Sequence, residues 1–441
     1  MKNVLIIAYD FPPMGGGGVM RVAKFIKYLP MYNYNPIVLT VKKLDYSPID
    51  KILYDEVRYS KIYRIRDGIW FEKFKQIIKE KNNIDKEQPL ENYKKKSIKI
   101  SLLKIAKRVK QAYVNNLVIP DLSINWVNNS ISKAIDIIKN ENIDIIFVTS
   151  PPHGVQLLGI KLKKMFPNMP LVVDFRDGWT INPLCKPSNK IKEKIEKKYE
   201  KTLIKLADKV ICATNPIEVE YKNIYKEFSN KFITITNGYD GENYNFNEDN
   251  YIKDNNFTII YSGSIGGKQR PAKYFLEACR NIIVDKDIKK VLKIVFIGTF
   301  FEDKIYWIKQ LGKNIKFISH MPQSDVIKFT ENAELLMVTF LPEQGGKTVL
   351  TGKIFEYAAS RRPIIGLVPD SAAKDFILNN NLGFCCEPTD IHAIENVIKK
   401  TYELWKNNQL YINNSNVKFI EQYDRRKLAK KLAYLFDELL R

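Results

Sequence analysis

The chain has 441 residues, 45% of them apolar, with 71 Lys and Arg against 49 Asp and Glu, a formal net charge of +22. Interleaved apolar and charged stretches exclude a disordered chain, and the length exceeds what one hydrophobic core usually organises, so two domains are expected. The charge favours phosphate-bearing partners in general, nucleotides, anionic lipid surfaces or nucleic acid, without choosing among them.

The apolar run at residues 4–9 is short, is ended by Asp10 and is followed by no small-residue cleavage site, so it reads as a buried first strand rather than a secretory signal. Lys, Asp or Asn interrupts every later apolar run, and no membrane span is expected. The five cysteines, Cys185, Cys212, Cys279, Cys385 and Cys386, lack metal-ligand spacing, and their odd number fits a reducing, cytoplasmic compartment.

Short runs rich in Val, Ile and Leu predict strands at 4–9, 36–41, 144–150, 171–175 and 209–214, most of them separated by helical patterns. Continuous apolar strands alternating with helices indicate a parallel sheet covered on both faces. After the turn-rich Asn237-Gly238-Tyr239-Asp240 the pattern restarts, with strands expected at 258–262, 293–298, 316–319, 335–340 and 363–368. The expected domains are therefore 1–241 and 242–416, with a hinge near Gly241 and a final helix over about 417–441 returning to the first domain.

Residues 92–116 are basic, and Ile98, Leu102, Ile105, Val109 and Tyr113 recur at spacings of three and four, which puts them on one helical face. Such a helix suits peripheral contact with an anionic membrane or packing on the protein's own core.

Gly15, Gly16, Gly17 and Gly18 lie between the first strand and a helix expected from about Val19. Glycines there expose backbone N–H groups at a helix N-terminus, where phosphate or sugar can approach closely. The dinucleotide pattern fails because Met20 or Arg21 stands where its third glycine belongs, and a P-loop ending at Gly346-Lys347-Thr348 fails at Leu341. Pro151-Pro152-His153-Gly154 ends one strand and Asp174-Phe175-Arg176-Asp177 ends the next, at the carboxyl edge where open α/β sheets bind ligands. The cluster reads either as a reactive centre formed by His153, Asp174, Arg176 and Asp177 or as an Arg176 ion pair that fixes the loop. In the second half, Ser262 and Gly263 end the opening strand, Lys268 and Arg270 follow, and Lys353 and Glu356 share a helical face, either as a cation and carboxylate for a ligand or as a surface ion pair.

Taken in order, Tyr9-Asp10-Phe11-Pro12-Pro13 with its glycines, Thr149-Ser150-Pro151-Pro152-His153, Asp174-Phe175-Arg176-Asp177, Asn237-Gly238-Tyr239-Asp240 and Lys353-Ile354-Phe355-Glu356-Tyr357 resemble the landmarks of the retaining glycosyltransferases of family 4, bacterial surface-polysaccharide type, over almost the whole chain. The resemblance implies the GT-B fold, an α/β architecture of two facing Rossmann-like domains with parallel sheets that close over the donor. It implies a nucleotide-sugar donor, UDP- or GDP-linked, on the second domain, with Glu356 on the ribose and Lys268, Arg270 and Lys353 on the diphosphate. The glycine loop then meets diphosphate or acceptor, His153 approaches the transferred sugar, and a glycan or lipid-linked acceptor meets the first domain. Thr348 stands where the family often has a glutamate, with Glu343 nearby, and Ser264 where it often has an arginine. The expected activity is metal-independent glycosyl transfer without a cofactor, in the cytoplasm or at the inner face of the plasma membrane. An inactive donor-binding scaffold subunit and a GT-B-type nucleotide-sugar epimerase share the same donor residues. A nucleic-acid partner is not expected, because it leaves His153 and Glu356 without a role.

Overall fold

The computed structural model describes residues 1–43, 46, 48–68, 118–182, 187–244, 254–267, 270–342, 346–411 and 415–441. The chain forms two compact units, one of residues 1–213, 217–234 and 430–441, the other of residues 214–216 and 235–429.

Among the described residues the first unit is built on seven strands, β1 (Lys2–Ala8), β2 (Tyr34–Lys42), β3 (Lys61–Arg66), β4 (Ile143–Ser150), β5 (Leu171–Phe175), β6 (Lys209–Cys212) and β7 (Phe232–Thr234). All pairings are parallel, in the order β3-β2-β1-β4-β5-β6-β7. On β1, Leu5 and Ile7 enter a core shared with Leu39, Val148 and Trp126, while Val4 and Ile6 are fully buried as well. Burial on both faces explains the uninterrupted apolar run. The helix Arg425–Leu439 reaches this unit at its end, where Phe436 packs edge-on against Tyr34 and Phe147 and Asp437 bonds Lys2 and Tyr34.

The second unit repeats the plan with β8 (Phe257–Ser262), β9 (Leu292–Ile297), β10 (Ile315–Ile318), β11 (Leu335–Thr339), β12 (Ile364–Leu367) and β13 (Gly383–Cys386), parallel in the order β10-β9-β8-β11-β12-β13. In each sheet the order reverses direction between two central strands, β1/β4 and β8/β11. Ligands of such sheets bind beyond the carboxyl ends at that reversal.

The ten expected strands all form, with ends shifted by one or two residues, and three that the pattern missed, β3, β7 and β13, are edge strands. The single final helix expected over 417–441 is divided: a helix at Ser415–Ile420, a 3-10 turn at Glu421–Tyr423, then Arg425–Leu439. Tyr423 and Arg425 are instead hydrogen-bonded to the backbone of Tyr239. A Cβ on Gly238 would fall 2.0 Å from the Tyr423 carbonyl oxygen, so only glycine fits beneath that turn. The basic segment at 92–116 lies outside the described residues, as do Cys185, Lys268 and Glu343. Among the described residues no helix is long and apolar enough to cross a membrane.

Candidate active site

In the first unit the register Ala8↔Thr149 and Ser150↔Phe175 brings the ends of β1, β4 and β5 level. The glycine loop leaves β1, and its helix starts at Gly17 rather than Val19, so Gly17 and Gly18 sit in the first turn. Gly15 is buried, its N–H bonded to the Pro48 carbonyl at 2.7 Å, whereas Gly16, Gly17 and Gly18 are exposed. Gly16 has φ of 116°, and among the described residues no side chain caps the helix, whose Val19 N–H donates to the Gly16 carbonyl at 3.0 Å.

Arg176 lies against this turn. A Cβ on Gly18 would stand 2.7 Å from Arg176 Nη1. Its Nε donates to the Ser150 carbonyl at 3.2 Å and its Nη2 to the Pro151 carbonyl, so the guanidinium is clamped by backbone with Nη1 turned to the glycines. The Arg176 ion pair, the alternative reading of this cluster, does not form among the described residues: Asp174, fully buried, is paired with Arg21, whose Nη2 is 2.7 Å from Oδ1 and Nε 3.1 Å from Oδ2. Thr149 Oγ1 donates to Asp174 Oδ2 at 2.7 Å. Asp174 thus ties the glycine-loop helix to β4 and β5, while Asp177 is exposed.

His153 follows β4 in a short 3-10 turn and is 5% exposed. Its ring stacks on Trp179, with centroids 5.4 Å apart and planes within 3°. Nδ1 is 3.1 Å from Ser150 Oγ, and Nε2 is buried with no partner among the described residues. Burial lowers the imidazole pKa to about 4, against a smaller opposing influence of Asp121, so the ring is neutral at physiological pH. Trp179 is held in turn: its Nε1 donates to Glu196 at 3.2 Å and its backbone N–H to Tyr221 Oη at 2.7 Å. Buried Glu200 accepts from Tyr221, Tyr225 and both the N–H and hydroxyl of Thr180, all within 2.9 Å.

In the second unit, Ser262 ends β8 and Gly263 follows it. The Ser262 hydroxyl and N–H both contact Tyr357 Oη, at 3.0 and 2.9 Å, so Ser262 is engaged with the helix Gly352–Ala359. Lys353, on the same helix, donates to Tyr261 Oη at 2.9 Å and lies 4.3 Å over that ring. A Cβ on Gly263 would stand 2.5 Å from Lys353 Nζ. Burial lowers the ammonium pKa, Tyr261 opposes this and Arg270 adds to it. Glu356, one turn along, accepts from Gln323 Nε2 at 3.0 Å. Arg270 closes the turn after β8, its carbonyl accepting from Gly266 N–H at 2.7 Å. Thr348 ends a 3-10 turn at Gly346–Thr348 just before this helix.

The structure thus gathers His153, Arg176 and the glycines in one unit and Gly263, Lys353, Glu356 and Arg270 in the other. Arg21, Trp179, Glu200, Tyr261 and Gln323 belong to these sites, and sequence reasoning gave them no role. Arg21 and Asp174 are 153 positions apart, and nothing local to either reveals the pairing.

Residues 244–418 match the family model described as glycosyl transferases group 1, and residues 104–243 match that described as glycosyltransferase family 4. With the two doubly wound units, these matches support a glycosyltransferase of GT-B type, and GT-B is the fold of the chain. Among solved structures, a glycosyltransferase from Rickettsia africae superposes with a TM-score of 0.65 at 16% identity, over 100% of this chain and 99% of the other. S. aureus TarM, solved with Fondaparinux, alpha-GlcNAc-glycerol and UDP, gives 0.59 at 15% identity, over 99% and 100%. WaaG, a glycosyltransferase involved in lipopolysaccharide biosynthesis, gives 0.58 at 11% identity, over 98% and 99%. None of the curated proteins matches the chain.

Proposed function

We propose that this chain is a retaining glycosyltransferase of family 4 that moves a sugar from a UDP- or GDP-linked donor to a glycan or lipid-linked acceptor in surface-polysaccharide synthesis. The observation that carries the donor side is the desolvated Lys353 ammonium, held by Tyr261 beside the bare backbone of Gly263. A cation partly withdrawn from water beside glycine backbone is suited to a diphosphate, which restores the solvation the ammonium has lost. TarM was solved with UDP, and S. aureus MnaA, a further structure of similar fold, also as a UDP complex.

In this reading the donor diphosphate meets Lys353 and Arg270, and Glu356 takes the ribose hydroxyls. Breaking the anomeric C–O bond leaves positive charge on the sugar and added negative charge on the diphosphate, which these cations stabilise without need of a metal. The departing phosphate accepts the acceptor's proton. His153 and Arg176 contact the transferred sugar or its acceptor, and Asp174 acts through Arg21 by fixing the glycine-loop helix.

The test is thermal unfolding of the full chain with a panel of UDP- and GDP-sugars, alongside Glu356→Ala. A nucleotide sugar that raises the midpoint in the parent and not in the variant supports the donor site. No response at millimolar concentration argues against it. Product analysis then separates transfer from epimerisation, and binding without turnover indicates the scaffold role.

A further inference from the structure

Whether the buried, unpartnered Nε2 of His153 gives or takes a hydrogen depends on which ring nitrogen carries the proton. In a neutral imidazole that is set by what the other nitrogen touches. Among the described residues the hydrogen-bond partner of the other nitrogen, Nδ1, is Ser150 Oγ, at 3.1 Å. Ser150 Oγ is also 3.0 Å from Gln156 Nε2, and the same amide nitrogen is 3.3 Å from the Val148 carbonyl oxygen.

These contacts can be ordered. A carbonyl only accepts, so the Gln156 atom against Val148 is the nitrogen, and the orientation of the amide follows. One of its hydrogens goes to Val148 and the other to Ser150 Oγ, which accepts it. The hydroxyl hydrogen of Ser150 is then directed to Nδ1, which must be unprotonated to receive it, and the ring hydrogen sits on Nε2.

We propose that Gln156 and Ser150 are positioning residues that lock His153 in the Nε2–H tautomer, presenting a fixed N–H donor to an oxygen of the transferred sugar or its acceptor. The ligand's identity rests on the glycosyltransferase reading; the tautomer does not. Trp179 covers one ring face and Phe175 stands edge-on with centroids 6.2 Å away, so the plane of the ring is fixed along with its proton. A buried donor with no partner among the described residues is costly unless a ligand satisfies it. With Nδ1 occupied and Nε2 protonated, His153 has no lone pair to offer the site and does not act as general base. That leaves the acceptor proton to the departing phosphate.

The chain has three histidines, and the other two, His320 and His392, are exposed, which makes the tautomer directly measurable. Long-range proton–nitrogen correlation spectra of the full chain, labelled with nitrogen-15 histidine at about pH 7.5, give each ring's protonation pattern. The surface variants His320→Asn and His392→Asn identify the His153 signals by subtraction. We expect the Nε2–H pattern in the parent, a mixture of tautomers in Ser150→Ala and Gln156→Met, and recovery in Ser150→Thr. An Nδ1–H or doubly protonated ring in the parent overturns the proposal, as does a tautomer that Ser150→Ala leaves unchanged.

In a transfer assay, Ser150→Ala should lower kcat/KM about twofold, in proportion to the fraction of rings that leaves the Nε2–H tautomer. If the tautomer is as stated but the parent turns over no nucleotide sugar, the relay stands and the glycosyltransferase reading falls.

Discussion

The imidazole of His153 lies parallel to the indole of Trp179, 5.4 Å away between centroids. The stack removes water from one face of a ring whose edge is already buried, and burial is the main reason its pKa is held at about 4 rather than 6.5. Between those values the unfolded chain binds a proton that the folded chain refuses, so this group's contribution to stability is present above pH 6.5 and lost as pH falls to about 4. A shift of this size corresponds to about 3 kcal/mol. We predict that His153→Gln flattens the acid limb of stability against pH by a comparable amount, measured as the difference in urea midpoints between variant and parent. Working with the difference matters because Glu196 and Glu200, whose pKa values burial raises, contribute slopes of opposite sign in both proteins. Equal acid limbs in the two proteins would show that His153 titrates normally.

The buried pair Arg21–Asp174 predicts a different pattern. Neither side chain is more than 2% exposed, and they are hydrogen-bonded to each other. Arg21→Met leaves a carboxylate buried with Thr149 as its side-chain hydrogen-bond donor, and the expected cost is about 3–5 kcal/mol in urea unfolding. The double change Arg21→Met with Asp174→Leu should recover much of that loss, since a well-packed apolar pair avoids desolvating either charge. A single variant within about 1 kcal/mol of the parent would mean the pair is not what joins the helix to the sheet.

Arg21 also marks where sequence reading stops. Apolar runs revealed the central strands because β1, β4, β8 and β11 are buried on both faces. The same rule passed over β3, where Lys61, Arg64 and Arg66 alternate with apolar residues, and β13, which opens on Gly383. Both are edges, where one side is open to water and continuous hydrophobicity is not required. The ligand-facing loops were legible because glycine, proline and charge stand together at strand ends. The residues supporting them were not, since pairs such as Lys353 and Tyr261, or Asp174 and Arg21, meet only through sheet order and register.

Within the glycine run, stability and binding should move in opposite directions. Gly17 has ordinary backbone angles and no atom of the described residues within 4 Å of the position a Cβ would take, so Gly17→Ala should raise stability by about 0.5–1 kcal/mol through the unfolded chain. Gly16 has equally open space but φ of 116°, and Gly16→Ala should instead cost about 1 kcal/mol. If anions approach the helix N-terminus, Gly17→Ala also blunts the thermal response to the nucleotide sugar. A variant that is stabilised and keeps its full ligand response would place the ligand elsewhere.

Lys353 offers the corresponding test in the second unit. Its ammonium is desolvated and held by one neutral hydroxyl, so removing the charge should cost the fold little: Lys353→Met is expected within about 1 kcal/mol of the parent. The ligand response should be lost outright. Burial sets the pKa of the free protein below 10.5, and a bound diphosphate raises it again. Affinity must therefore fall as pH rises through the lowered value, with a proton taken up on binding in that range. Calorimetric titration with the nucleotide sugar that stabilises the parent, repeated at alkaline pH in two buffers of different ionisation enthalpy, reads that proton directly. Uptake in the parent and none in a residually binding Lys353→Arg variant identifies Lys353 as the group that meets the phosphate. Equal uptake in both would assign the proton to another residue and remove Lys353 from the donor site.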